Sequence, residues 1–158
     1  MSDPLLAELK ASILKNLGTL ERQVESLQTA LDRDLALLGR TQNAALIVAG
    51  LLENYYTCLE TTFLRISQFF ENTLDPESWH MDLLEKMTLH LEGVRLPAVS
   101  QTNYPNLLEL LKFRHFRRYY FELDYDWDRL DFLVKKMKLA HPGVRQDLGR
   151  FLAFLDRL

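Results

Sequence analysis

Apolar residues recur at Leu6, Leu9, Ile13, Leu17, Leu20, Val24, Leu27, Leu31, Leu35 and Leu38, in steps of three or four. That spacing puts them on one stripe of a long helix. Asp3 followed by Pro4 reads as its N-cap and first turn, and Gly39 as its C-cap. Gly18, inside the stripe, is a place for a kink or break. A second helix is predicted from about Thr41 to Glu71, with Leu52, Tyr55, Tyr56, Leu59, Phe63, Ile66 and Phe70 at the same spacing. Asn72 to Ser78 reads as a loop, with Asp75–Pro76 opening a short third helix through about His90. Gly93 to Ser100 is a connection. Asn103 is positioned to cap a fourth helix, with Pro105 in its first turn, running to about Tyr120. A fifth runs from near Asp126 to about Leu139, the His141–Gly143 run interrupts it, and a last helix ends the chain.

No alternating strand pattern, Asn-Gly turn or internal repeat is present. The expectation is an all-α antiparallel helical bundle, with a coiled coil built on the leucine stripe as the other way to cover it. Aromatic residues make up 11% of the chain, enough in the later helices to fill a bundle core.

The 158 residues fit one compact domain, 1–158. With 19 Lys plus Arg against 22 Asp plus Glu the net charge is -3, which excludes a uniformly basic nucleic-acid coat but leaves room for a local basic patch. Cys58 is the only cysteine, so no internal disulfide is expected and a cytoplasmic location is the default. Asp3 and Glu8 precede any apolar run, which is unlike a signal peptide, and no uninterrupted apolar stretch is long enough to predict a membrane span.

His80, His90, His115 and His141 have no paired metal-ligand spacing, so no metal cage is expected. Paired Glu-x-x-His motifs of a carboxylate metal bundle are absent. So are a phosphate loop, a dinucleotide glycine pattern and a nucleophile elbow; no cofactor is expected. The concentrated feature is KFRHFRRYYFELDYDWDRLD, residues 112–131. Lys112, Arg114, Arg117 and Arg118 are followed by Glu122, Asp124, Asp126, Asp128 and Asp131. Arg114 and Arg118 share a helix face, and Phe113, Phe116 and Tyr120 lie on another. These residues alone allow two readings. The arginines either complement the C-terminal dipole of their helix or grip phosphates. Tyr119 and Tyr120 suit a core or an interface. Trp79 reads as a core anchor, and His80 has no partner carboxylate at a readable spacing.

Several segments together resemble the HepT-like HEPN toxins. They are YTCLE with Tyr56 and Glu60, ESWHMDLLEKM (Glu77–Met87), GVRLPAVS (Gly93–Ser100), LLELLKFRHFRR (Leu107–Arg118) and ELDYDWDRL (Glu122–Leu130). The resemblance implies a HEPN-type bundle that forms a homodimer and acts as a metal-independent endoribonuclease. The family motif is an Arg, four to six residues and a His, with a Tyr two positions further in the HepT branch. Two copies meet across the dimer in one RNA cleft. The implied partner is a minimal nucleotidyltransferase (MNT) antitoxin that silences the toxin by AMPylating the motif Tyr. The chemistry suits the motif. Imidazole exchanges protons near neutrality, and a guanidinium stabilises charge on a phosphorane-like transition state.

Under the resemblance Arg114 is the catalytic arginine, Lys112, Arg117 and Arg118 are RNA-binding residues, and Tyr119 is the modified tyrosine. The motif His is missing. Tyr119 stands five residues after Arg114, and no His occurs from Phe116 to Ala140. His115 matches a family position that precedes the catalytic one. Both flanks align if His-Ala is absent between Arg118 and Tyr119, so the chain reads as a catalytically impaired variant. Losing two residues inside a helix rotates the downstream residues by about 200°, so the gap is expected at the end of the fourth helix. A non-enzymatic helical adaptor, docking through the leucine stripe or the arginine cluster, is the alternative.

Overall fold

The computed structural model describes residues 3–71 and 79–158. The expected loop Asn72–Ser78, the helix start at Asp75–Pro76 and the side chain of Trp79 lie outside the described residues. Pro4–Thr29, a π turn Ala30–Asp34 and Leu35–Leu38 follow one another as helix α1. Then come α2 (Gln42–Phe70), α3 (Trp79–Met87), α4 (Tyr104–Tyr119) and α5 (Trp127–Leu155). Among the described residues no strand forms, and one isolated bridge joins Leu91 and Arg95. The all-α expectation is met.

Cross-helix bonds give the directions. Asn16 on α1 bonds Thr62 on α2, and Gln23 bonds Asn54; numbers rise on one helix as they fall on the other. Lys10 pairs with Asp156, and Glu21 with His141, which sets α1 against α5 in the same sense. Thr57 meets Arg114 and Glu53 meets Arg117, so α2 and α4 are antiparallel as well. Leu6, Leu9, Ile13, Leu20 and Leu27 are buried in a continuous core with Tyr55, Tyr56, Leu59, Phe63, Leu107, Phe113, Leu133, Met137 and Phe151. The leucine stripe is covered within the chain, which removes the need for a coiled-coil partner.

The helix ends follow from capping. Asp3 accepts from the Leu5 amide at 2.9 Å, Thr41 from Ala44 at 3.1 Å, and Asp126 from Asp128 at 3.0 Å. Gly39 ends α1 at φ 73°, the left-handed region where a β-carbon is costly. Gly18 does not break α1. The stripe, however, stops burying residues at Ala30: the π turn shifts the register, and none of Leu35–Leu38 is buried.

Two expectations about α4 and α5 are corrected. His141–Gly143 does not end a helix; α5 runs through Pro142. Pro142 and Lys138, whose carbonyl lacks a donor there, are exposed, so water can take the missing bond. Flanking contacts hold the turn in place. His141 is bonded on both ring nitrogens, and the Asn103 amide donates to the Ala140 carbonyl at 3.1 Å. That second contact is the other correction, because Asn103 does not cap α4 with its side chain. It crosses to α5 and lies against Gly143, where a β-carbon would come within 2.8 Å of it.

The third helix ends at Met87 rather than near His90. Arg95, 1% exposed, explains the tight stop. Its guanidinium donates to the carbonyls of Lys86, Leu89 and Leu96 and to Glu71. It thereby satisfies backbone groups that the helix end leaves open.

Candidate functional site

The α2–α4 seam collects the charged residues singled out in the sequence. Arg114 and Arg117, three apart on α4, both turn towards α2. Arg114 Nε donates to Thr57 Oγ1 at 2.9 Å, and its terminal nitrogen lies 3.5 Å from Glu60 Oε1. Arg117 Nε donates to the Tyr125 hydroxyl at 3.2 Å, and a terminal nitrogen lies 3.7 Å from Glu53. Lys112 and Arg118 face outward; the Arg118 guanidinium lies 5.8 Å from the Tyr119 ring centre. The basic cluster of the sequence is therefore divided. Two cations are held by α2 carboxylates, and two are presented to solvent.

A cleft of about 250 Å³ is lined by Glu53, Asn54, Thr57, Arg114 and Arg118. Arg114 and Arg118 do share a face, as their spacing requires. The cleft also holds acid, and the Arg114 side chain is 18% exposed, so its guanidinium does not look freely into an open groove. The Arg118–Tyr119 junction, where the family pattern would carry two more residues, falls in the last turn of α4. Tyr119 is 62% exposed, with its ring edge against His115 at 5.2 Å. Phe116, on the aromatic face of α4, is 42% exposed and stacks between Phe113 and Tyr120. Both ends of that aromatic row reach the core, Phe113 fully and Tyr120 partly through Tyr125; the middle ring, Phe116, meets solvent.

Glu60 is the residue whose weight local spacing does not show. It is 4% exposed. Its second oxygen accepts from His80 Nδ1–H at 2.9 Å, so His80 and Arg114 are held by one carboxylate. His80 thus has the partner that no local spacing revealed, because the two residues sit on different helices. A signal was available: a carboxylate one turn after Tyr56 at the edge of an apolar stripe requires a cationic or donor partner. Tyr56, buried at that turn, has no hydrogen-bond partner for its hydroxyl among the described residues. Burial pushes its phenol well above the usual range, the Glu60 carboxylate pushes the same way, and Arg114 opposes.

On the far side of Glu60 a second cavity, about 240 Å³, is lined by His80, Met81, Leu111, Lys112 and His115. Two imidazoles and an ammonium group thus share one hollow with two apolar walls. His141, which is buried, lies elsewhere. Tyr55 donates to its Nδ1 at 2.9 Å, and its Nε2–H donates to Glu21 at 2.6 Å. Both nitrogens are used in fastening α5 to α1 and α2, so it is a structural group. Among the described residues no three His, Cys, Asp or Glu side chains group as metal ligands, and no helix is long and apolar enough to cross a membrane.

No curated protein and no solved structure matches the chain. A family model described as HepT-like protein matches residues 47–155, which takes in α2 to α5, Glu60, His80 and the whole of the 112–131 segment. With more than half of its length so matched, the chain belongs to the HepT-like family.

Proposed function

We propose that this chain is the toxin half of a HEPN–MNT toxin–antitoxin pair, a metal-independent endoribonuclease type whose motif imidazole is missing. The observation that carries the reading is Arg114 lining a cleft together with Arg118, inside the region matched by the family. In that reading Arg114 stabilises charge on the reacting phosphate, and Lys112, Arg117 and Arg118 bind the RNA backbone. Arg114 is loosely held by Glu60: 3.5 Å exceeds an ordinary charged hydrogen bond, so a phosphate can compete for it.

The proposed homodimer draws support from the end of α4. Phe116, Tyr119, Phe121 and Leu123 are exposed there, beside basic Arg118 and acidic Glu122 and Asp124. An apolar patch with both signs of charge at its rim can complement itself across a two-fold axis. An exposed Tyr119 also suits AMPylation by an MNT nucleotidyltransferase antitoxin.

The test is insertion of His-Ala between Arg118 and Tyr119. The restored chain should cleave RNA about 10²- to 10⁴-fold faster and become toxic to its host. Equal cleavage by the unaltered chain would show that it is not impaired, and an inert restored chain would remove the main support for the toxin reading. Incubation with the antitoxin, ATP and magnesium should place one AMP on the peptide that carries Tyr119. A non-enzymatic adaptor is the second reading, favoured by the missing imidazole and by the inward engagement of Arg114. It predicts partner capture through the same patch with no cleavage by either chain.

A further inference from the structure

We propose that the groove between the second half of α1 and the start of α2 is a self-association face, filled by α1 of a second copy running antiparallel. The groove, about 570 Å³, is lined by Arg22, Ser26, Ala30 and Asp34 of α1 and by Ile47 and Leu51 of α2. This face is not the buried stripe: Leu20 and Leu27 point into the core, while Arg22 and Ser26 are exposed. It lies away from the patch at the end of α4. Its α1 residues also stand ahead of the region matched by the family, which begins at residue 47.

Charge selects the occupant. Arg22 and Asp34 mark the two ends of the face, about 18 Å apart along the helix, too far to pair within one chain. The Arg22 guanidinium donates to Thr19 Oγ1 at 3.2 Å. Among the described residues Arg22, Glu25 and Asp34 form no ion pair. An antiparallel second α1 centred on Gln28 sets Arg22 of each copy opposite Asp34 of the other. One two-fold contact then makes two ion pairs, and Glu25 comes opposite Leu31, so no like charges meet. A parallel copy would oppose like to like.

Shape agrees with charge. At the centre Ser26 opposes Ala30, with Thr29 beside them, and such short side chains let two helices approach to about 8–10 Å. Ile47, 41% exposed, and Leu51 stand four apart on α2 and give the groove its apolar wall. Exposed Leu38, one turn beyond Asp34, comes opposite Gly18 of the other copy, where the missing side chain leaves room. With the α4 patch as a second isologous face, the chain closes into a tetramer of two-fold axes.

The test is sedimentation velocity of the full chain over a range of concentrations. The parent should form tetramers. Leu123→Asp, which blocks the α4 patch, should leave a dimer joined through α1. In that background Arg22→Asp and Asp34→Arg should each raise the Kd about tenfold or more, because like charges then meet at both ends. The two together restore opposite signs and should return the Kd to the starting range, a recovery that a misfolded variant could not show. A Leu123→Asp chain that stays monomeric at every concentration leaves the groove to another helix or to solvent and overturns the proposal. So does a double variant no tighter than the single ones. If Leu123→Asp leaves the parent's assembly unchanged, the α4 patch falls and the α1 face stands.

Discussion

Arg114 and Glu60 meet across the seam of α2 and α4 at 3.5 Å, and the second oxygen of Glu60 holds His80. A carboxylate so deeply buried is tolerated because it has two cationic or donor partners. Glu60→Ala should therefore cost about 1–3 kcal/mol of stability by leaving the Arg114 guanidinium without its counter-charge. Chemical denaturation of the two chains measures this. Thr57→Val, which removes only the bond to Arg114 Nε, should cost less.

The Glu21–His141–Tyr55 chain predicts a pH dependence. Burial pushes the Tyr55 phenol up, so it stays protonated and donates to His141. The hydrogen bond from His141 holds the Glu21 carboxyl below the usual range; partial burial opposes, and the charge of Arg145 reinforces it. A depressed carboxyl stabilises the fold above its unfolded value, and that stability is lost as pH falls through the lower, folded value. Glu21→Gln should be less stable than the parent near neutrality, and the gap should close in acid below the ordinary carboxyl range. Since Glu21 is 43% exposed, the difference is small. Urea melts at several pH values test it; a gap that widens in acid contradicts the assignment.

Gly143→Ala should destabilise by about 1–3 kcal/mol, because the new methyl would collide with the buried Asn103 amide at 2.8 Å. Combining it with Asn103→Ala should cost less than the two separate losses together, since the second change removes the colliding group. Thermal melts of the three variants give the coupling.

Arg95→Met should cost about 3–5 kcal/mol, because it strands Glu71 and three backbone carbonyls at the end of α3. Arg95→Lys should recover only part of this, as one ammonium cannot reproduce the planar fork. Protection of the α3 amides in hydrogen exchange should fall in both.

Much of the bundle was legible along the chain. Steps of three and four located α1 and α2, and Asp3, Gly39 and Asp126 marked helix ends because capping is a local interaction. Pro142 misled because its effect was decided by distant residues: His141 and Ala140 are held by Tyr55, Glu21 and Asn103. The site divided in the same way. The clustering of Arg114, Arg117 and Arg118 was plain in the sequence, while the inward turn of the first two depends on Thr57, Glu60 and Glu53 of another helix. His80 was passed over since its partner lies on α2, beyond any helical repeat. The resemblance to the HepT-like family, by contrast, drew on segments far apart along the chain, and the match over residues 47–155 bears the family assignment out.

The π turn at Ala30–Asp34 acts as a phase slip in α1. One surplus residue swings the rest of the helix about 100° around the axis, and Leu37 and Leu38 end 85% and 51% exposed. Excising a single residue from that turn would wind the tail of α1 back into step with its earlier turns and redirect those leucines, with no change to the composition of the tail itself.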